Sequence, residues 1–260
     1  MAILRIRRPT ANGARAAFRR TQHLHLTLPE NRQGCDYFVG DIHGAQDKLR
    51  AELDSIGFDY RNDRLIGVGD TLDRGEGSRH IWQLLEDPWF HSVRGNHENL
   101  FLRWMKIQQA ESAGLRGNVF SMYYRALSCG GRWTENAEPA DLLRIQRQVR
   151  RLPYSMTVEQ PGGRRIGVIH AEVPDGCAWG DVTDGTVDRM KMTWGRQRIR
   201  GKAHDDRHRI AGVDALVVGH TVVPSPTIMG NIVYLDCGGW MDRPFAVVPA
   251  ERVLAGVSGS

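Results

Sequence analysis

Phe38-Val39-Gly40-Asp41-Ile42-His43-Gly44 closes a short apolar run, Cys35–Gly40, with an aspartate and a histidine set two residues apart. The run reads as a buried strand. A chain leaving it in a tight turn can aim Asp41 and His43 at one point, and Gly40 and Gly44 permit the backbone angles such a turn needs. The pattern recurs within sixty residues. Arg64–Gly69 runs into Gly69-Asp70-Thr71-Leu72-Asp73-Arg74-Gly75, and His91–Gly95 runs into Gly95-Asn96-His97-Glu98. Downstream, Arg165–His170 and Ala215–His220 each end on an imidazole.

Two more strands are predicted, Asn231–Cys237 and Phe245–Pro249, with helices over Ala45–Ile56, Ser78–Glu86 and Glu98–Gln109. In the first helix Leu49, Leu53 and Ile56 form one apolar stripe. Alternating strands and helices predict an α/β fold with parallel pairing. The later strands lack intervening helices, which predicts a mixed sheet or two sheets packed together. Residues 110–160 read as a polar, helical insertion punctuated by Gly114, Gly117, Gly130, Gly131 and Pro139. The expected organisation is a flexible extension over 1–34, one catalytic domain over 35–250, and a tail over 251–260.

The net charge of +5 resides in the extension. Residues 1–34 carry seven arginines (Arg5, Arg7, Arg8, Arg15, Arg19, Arg20, Arg32) against one acid, Glu30. The remaining 28 basic and 29 acidic residues nearly cancel, so the catalytic domain is not expected to bind nucleic acid. No apolar stretch approaches the ~18–20 residues of a membrane span. Cys35, Cys129, Cys177 and Cys237 are widely spaced, which predicts reduced thiols and a cytoplasmic protein.

Asp, Asn and His side chains gathered at strand ends suit a pair of divalent metals that hydrolyse a phosphate ester. Any one of these residues alone would read as a helix cap or a satisfied core histidine. Asp41 and His43 are assigned to one metal, Asn96, His170 and His220 to the other, and Asp70 to the bridge between ions about 3.5–4 Å apart. Mixed N/O donors without thiolate suit manganese, iron or zinc better than calcium. His97, beside Asn96, reads as the general acid, with Asp73 holding its other ring nitrogen. Arg74, Arg94 and Arg196 read as phosphate clamps, since a guanidinium fork matches phosphate oxygens.

These motifs, with Trp194-Gly195-Arg196, His170-Ala171 and Gly219-His220, resemble the PPP family of metal-dependent serine/threonine phosphatases. The similarity is greatest to the short bacterial and bacteriophage lambda-type members of the metallophosphoesterase superfamily, and it spans roughly 35–245. The resemblance implies a metallophosphoesterase-type β-sandwich of mixed sheets flanked by helices. It implies the same six metal ligands, the His97–Asp73 pair, the same three arginines, and two metal ions, manganese first. Hydrolysis would proceed by attack of a dimetal-bridging hydroxide on phosphoserine or phosphothreonine, with phosphotyrosine a further substrate.

A dinucleoside polyphosphate hydrolase shares these motifs and is the alternative, and a non-catalytic scaffold would have lost ligands that are present here. Two other features are weaker. Cys237-Gly238-Gly239-Trp240-Met241-Asp242-Arg243 has the spacing of cysteine-dependent phosphatases, but Asp242 would repel a phosphate. His204-Asp205-Asp206-Arg207-His208 reads as a solvated loop.

Overall fold

The apolar strands divide their side chains between two interiors rather than between core and solvent, which is why they read as continuous hydrophobic runs. The computed structural model describes residues 24–112, 129–201 and 209–258. Its strands are β1 (His25–Leu28), β2 (Asp36–Val39), β3 (Arg64–Gly67), β4 (Phe90–Ser92) and β5 (Ser155–Gln160). They continue as β6 (Arg164–Ile169), β7 (Ala215–Val218), β8 (Thr227–Met229), β9 (Ile232–Tyr234) and β10 (Val247–Pro249). The helices are α1 (Gln46–Ser55), α2 (Trp82–Glu86), α3 (Asn96–Ser112) and α4 (Pro139–Val149). The rest are α5 (Trp179–Thr183), α6 (Arg189–Trp194), α7 (Gln197–Arg200) and α8 (Ala250–Ser258).

Two mixed sheets form a sandwich, one ordered β1-β5-β6-β7-β9-β8 and the other β10-β2-β3-β4. Phe38 and Ile66 from one sheet meet Val168, Val217 and Val233 from the other in the layer between them. Their neighbours point outward. Val39 and Leu65 pack under Leu49, Leu84, Phe101 and Ile145, while Ile169, Leu216 and Val218 pack under Trp179, Val182 and Met192. The predicted sandwich flanked by helices is therefore the observed fold.

Three strands stand where none was expected. β1 falls within the stretch read as a flexible extension and pairs in parallel with β5, Leu28 opposite Val158. As an edge strand it buries Leu28 but exposes Leu26 and Thr27, so it lacks an apolar signature. β5 occupies the end of the supposed insertion and buries Met156 and Val158 between the sheets. β8 is a three-residue edge. The supposed tail also needs correction: α8 lays Val253, Leu254 and Val257 into the layer between the sheets, an i, i+1, i+4 stripe. The predicted helix Ser78–Glu86 is a 3-10 turn, Glu76–His80, followed by α2.

Candidate metal centre and active site

β2, β3 and β4 run parallel in one sheet, and β6, β7 and β9 run parallel in the other. Each set therefore ends on one rim, where open α/β sheets commonly bind ligands. Asp41 and His43 follow β2, Asp70 follows β3, and Asn96 and His97 open α3 just beyond β4. His170 and His220 follow β6 and β7 from the opposite sheet. All six proposed ligands are buried at this rim.

The turns that bring them together are strained. Among the described residues, five non-glycines adopt positive φ: His43, Asp70, Asp73, Arg74 and His220. Each such residue costs about 1–3 kcal/mol and persists only where its surroundings enforce it. Glu98 supplies much of the enforcement. Its fully buried carboxylate accepts hydrogen bonds from the backbone N–H of Asp70 (3.0 Å), Thr71 (2.7 Å) and Gly95 (2.7 Å), and from the Thr71 hydroxyl (2.8 Å). Glycine is required opposite two carboxylates: a Cβ at Gly95 would strike Asp70 Oδ1, and one at Gly219 would strike Asp41 Oδ1.

Asp70 stands at the centre. Its Oδ2 lies 3.8 Å from His43 Nε2 and 3.3 Å from His170 Nε2, so the two imidazoles converge on one carboxylate oxygen. His43 donates Nδ1–H to Leu72 O at 3.0 Å, and His170 donates Nδ1–H to Val68 O at 2.8 Å. Each bond turns Nε2 into the site, as carbonyl partners do for metal-binding histidines. Two three-residue clusters with ligand spacing share Asp70: His43, Asp70 and His97, and Asp70, His170 and His220. Asp41 Oδ2 lies 3.8 Å from His43 Nε2 and adds to the first group.

The donor set fits cations. The inward tip of the Asn96 carboxamide lies 2.8 Å from His170 Nε2, 3.0 Å from His220 Nδ1, and 3.2 Å from both Asp70 Oδ2 and Thr193 O. With Nδ2 in that place the amide would donate to these acceptors; with Oδ1 there, a cation bound among them would satisfy them all. The Nε2 atoms of His43 and His220 are buried and have no hydrogen-bond partner. Burial opposes charge on His170, yet Asp70 and Asp41 push its pKa up to about 10. His43 and His220 are held neutral, lowered to about 3 principally by burial.

His97 stands within ligand spacing of His43 and Asp70, and its other ring nitrogen is held by a carboxylate. Its Nδ1–H donates to Asp73 Oδ2 at 2.8 Å, and Trp133 Nε1–H donates to the other oxygen of that carboxylate at 2.8 Å. Burial would lower the His97 pKa, but Asp70 and Asp73 outweigh it and raise it. The Asp73 carboxyl is raised by burial.

A cleft of about 510 Å³ opens over the cage. Arg74 and Arg196 line it, together with Trp194 and Trp240. The Arg74 guanidinium sits 4.3 Å from the centre of the Trp240 ring, whose edge meets His43. Arg196 is held by Thr221 Oγ1 at 3.3 Å and His220 O at 3.2 Å. Arg94 is not brought to the cleft. It donates to Arg150 O at 2.9 Å and packs over Tyr154, because the end of α4 offers a free carbonyl within its reach. The third expected clamp is thus occupied in joining β4 to the start of β5.

Residues 37–224 match the calcineurin-like phosphoesterase family. The chain is a calcineurin-like phosphoesterase. It is 31% identical over 212 residues to serine/threonine-protein phosphatase 2 of Salmonella typhimurium, covering 78% of this chain and 87% of that one. It is 28% identical over 223 residues to the asymmetrical bis(5'-nucleosyl)-tetraphosphatase PrpE of Halalkalibacterium halodurans, covering 77% of this chain and 83% of that one. In fold it aligns with a solved chain described as a candidate diadenosine tetraphosphatase, with a TM-score of 0.59 and 20% identity over 87% of this chain and 97% of that one.

Four participants in this phosphoesterase's site escaped the sequence reading. Glu98 had a legible signal, because Gly95-x-x-Glu98 is the spacing of a helix N-terminus whose third residue reaches back to the cap N–H. Asp236 had one too, an aspartate closing the apolar run of the predicted strand Asn231–Cys237, whereas Trp133 and Trp240, delivered by loops distant in sequence, had none. Asp236, buried beyond β9, raises the pKa of Asp41 after burial itself. Cys237 is buried, and burial followed by Asp236 lifts its thiol to about 11, the opposite of what a cysteine nucleophile needs. His204 and His208 lie outside the described residues, as do Arg5, Arg7, Arg8, Arg15, Arg19 and Arg20.

Proposed function

We infer that this phosphoesterase is a phosphoprotein phosphatase, releasing phosphate from phosphoserine and phosphothreonine side chains. The observation that carries the reading is the His97–Asp73–Trp133 chain set against the metal cage. A serine or threonine alkoxide is a poor leaving group and departs only with a proton. His97, with Nδ1 committed to Asp73, keeps Nε2 as the atom that delivers it. The similarity to serine/threonine-protein phosphatase 2 over most of both chains supports the same reading.

Asp41, His43 and Asp70 would hold one divalent metal, and Asp70, Asn96, His170 and His220 the other. Bound there, the pair supplies Lewis acidity to the phosphate and acidifies a water, with manganese the metal of choice and iron or zinc alternatives. Arg74 and Arg196 orient the phosphoryl oxygens from the wall of the cleft and meet the charge that develops on them. Trp133 and Asp73 keep the His97 ring from rotating. No side chain in this scheme accepts the phosphoryl group, so no phosphoenzyme forms.

The alternative is hydrolysis of a dinucleoside polyphosphate, which the similarity to PrpE favours. One panel separates the two: phosphoserine, phosphothreonine and phosphotyrosine peptides beside diadenosine tetraphosphate, all with manganese. Faster turnover of the serine and threonine peptides supports a protein phosphatase; faster turnover of the dinucleotide overturns it. The reading places the protein in the cytoplasm, where its four unpaired cysteines would stay reduced. Among the described residues no helix is long and apolar enough to cross a membrane.

A further inference from the structure

A second cavity, about 420 Å³, adjoins the catalytic cleft and shares two of its walls, Trp194 and Arg196. Its remaining cations are Lys191, on α6, and Arg200, at the end of α7. Among the described residues none of the three forms an ion pair, whereas Arg198, on the same short helix, pairs with Asp175. Arg196 and Arg200 line the cavity together from the two ends of one short helical turn. Three cations and a single acid line this cavity, so its net positive charge favours an added anion. The one acid lining the cavity, Glu172, is buried and accepts the Arg198 backbone N–H at 3.0 Å.

The spacing indicates what that anion is. Arg200 N–H donates to Arg196 O at 3.2 Å, closing one helical turn, and Gly195 N–H donates to Lys191 O at 2.9 Å. Residues four apart on a turn stand about 5–6 Å from each other. A second anion held by Lys191 and Arg200 therefore sits about one side chain's breadth from a phosphate on Arg196. In an extended peptide, which advances ~3.3–3.6 Å per residue, that is the neighbour one or two positions from the phosphoresidue. Trp194, 39% exposed between the two cavities, offers an apolar wall along which the intervening backbone can lie.

We propose that Lys191 and Arg200 form a specificity subsite for an acidic side chain flanking the phosphorylated residue, so that this enzyme selects acidic phosphopeptides. The proposal rests on the phosphoprotein reading above, and its test separates the two. Phosphoserine peptides flanked on both sides by Glu or by Lys are compared under manganese, with p-nitrophenyl phosphate as a flank-free reference. The native enzyme should prefer the Glu peptide by about tenfold in kcat/KM at low salt, and the preference should shrink as salt screens it. K191E/R200E should reverse the preference, read as the ratio of the two peptides' kcat/KM so that any change in p-nitrophenyl phosphate turnover through Arg196 cancels; K191Q and R200Q should each weaken it.

Equal cleavage of the two peptides by the native enzyme overturns the subsite and leaves the phosphatase reading standing. Cleavage of the aryl ester with neither peptide touched overturns both. Should K191E/R200E lose diadenosine tetraphosphate turnover and keep the native peptide preference, the second anion is a polyphosphate oxygen and the acidic-flank assignment is wrong.

Discussion

Asp73 is shared between His97 and Trp133: one carboxylate oxygen accepts from the imidazole and the other from the indole, both at 2.8 Å. Neither oxygen is left to seek another partner, so the imidazole is fixed in one tautomer with Nε2 toward the cleft. This arrangement fixes the direction in which the ring points.

His97→Asn should lower kcat/KM on a phosphoserine peptide by about 10²–10⁴-fold, the usual worth of a general acid. p-Nitrophenyl phosphate, whose leaving group departs unprotonated, should lose far less. Steady-state kinetics on both substrates reads the difference, and equal losses would remove His97 from that role.

Trp133→Phe keeps the buried ring but deletes its N–H. It should reproduce a fraction of the His97→Asn defect, again larger on phosphoserine than on the aryl ester. Unchanged selectivity in the same assay would reduce Trp133 to a packing residue.

Asp70 faces imidazoles from both sheets. Asp70→Asn should therefore release both ions, whereas His43→Ala should spare the second. Metal content after dialysis, counted per protein chain, distinguishes them; two ions retained by Asp70→Asn would refute the bridge. Chelation should abolish activity in the native enzyme and manganese should restore it.

Glu98→Ala strands the backbone donors of Asp70, Thr71 and Gly95 in a buried turn, at about 1–3 kcal/mol for each group left unpaired. A clear fall in the urea midpoint and metal binding weakened about 10–100-fold are expected. Glu98→Gln, which keeps one of the two acceptor oxygens, should recover part of both.

With its thiol lifted to about 11, Cys237 is almost wholly protonated near neutral pH. Cys237→Ser should keep metal-dependent activity, measured as phosphate release under manganese. Loss of activity in that variant would return the Cys237–Arg243 spacing to consideration.

The six candidate ligand positions could be picked out because each ends or follows an apolar run, five of them beside a glycine and His170 without one. Asp41 between Gly40 and Gly44, and Asn96 after Gly95, announce sharp turns before any partner is known. Strand β1 was illegible for the converse reason: an edge needs only Leu28 buried, and four residues leave no periodicity. Arg94 shows where motif reading stops. Its place beside Asn96 suits a phosphate clamp, yet Arg150 O, more than fifty residues on, holds it instead. Trp133 and Trp240 reach the site through chain topology alone, which no local pattern encodes.

The cage draws Asp41, His43, Asp70 and Asn96 from the four-stranded layer and His170 and His220 from the six-stranded one. Loading it would rivet the two leaves of the molecule at one edge. Ions that bind only the assembled form raise its melting temperature by mass action, so a cell's supply of transition metal would govern this protein's lifetime as well as its turnover.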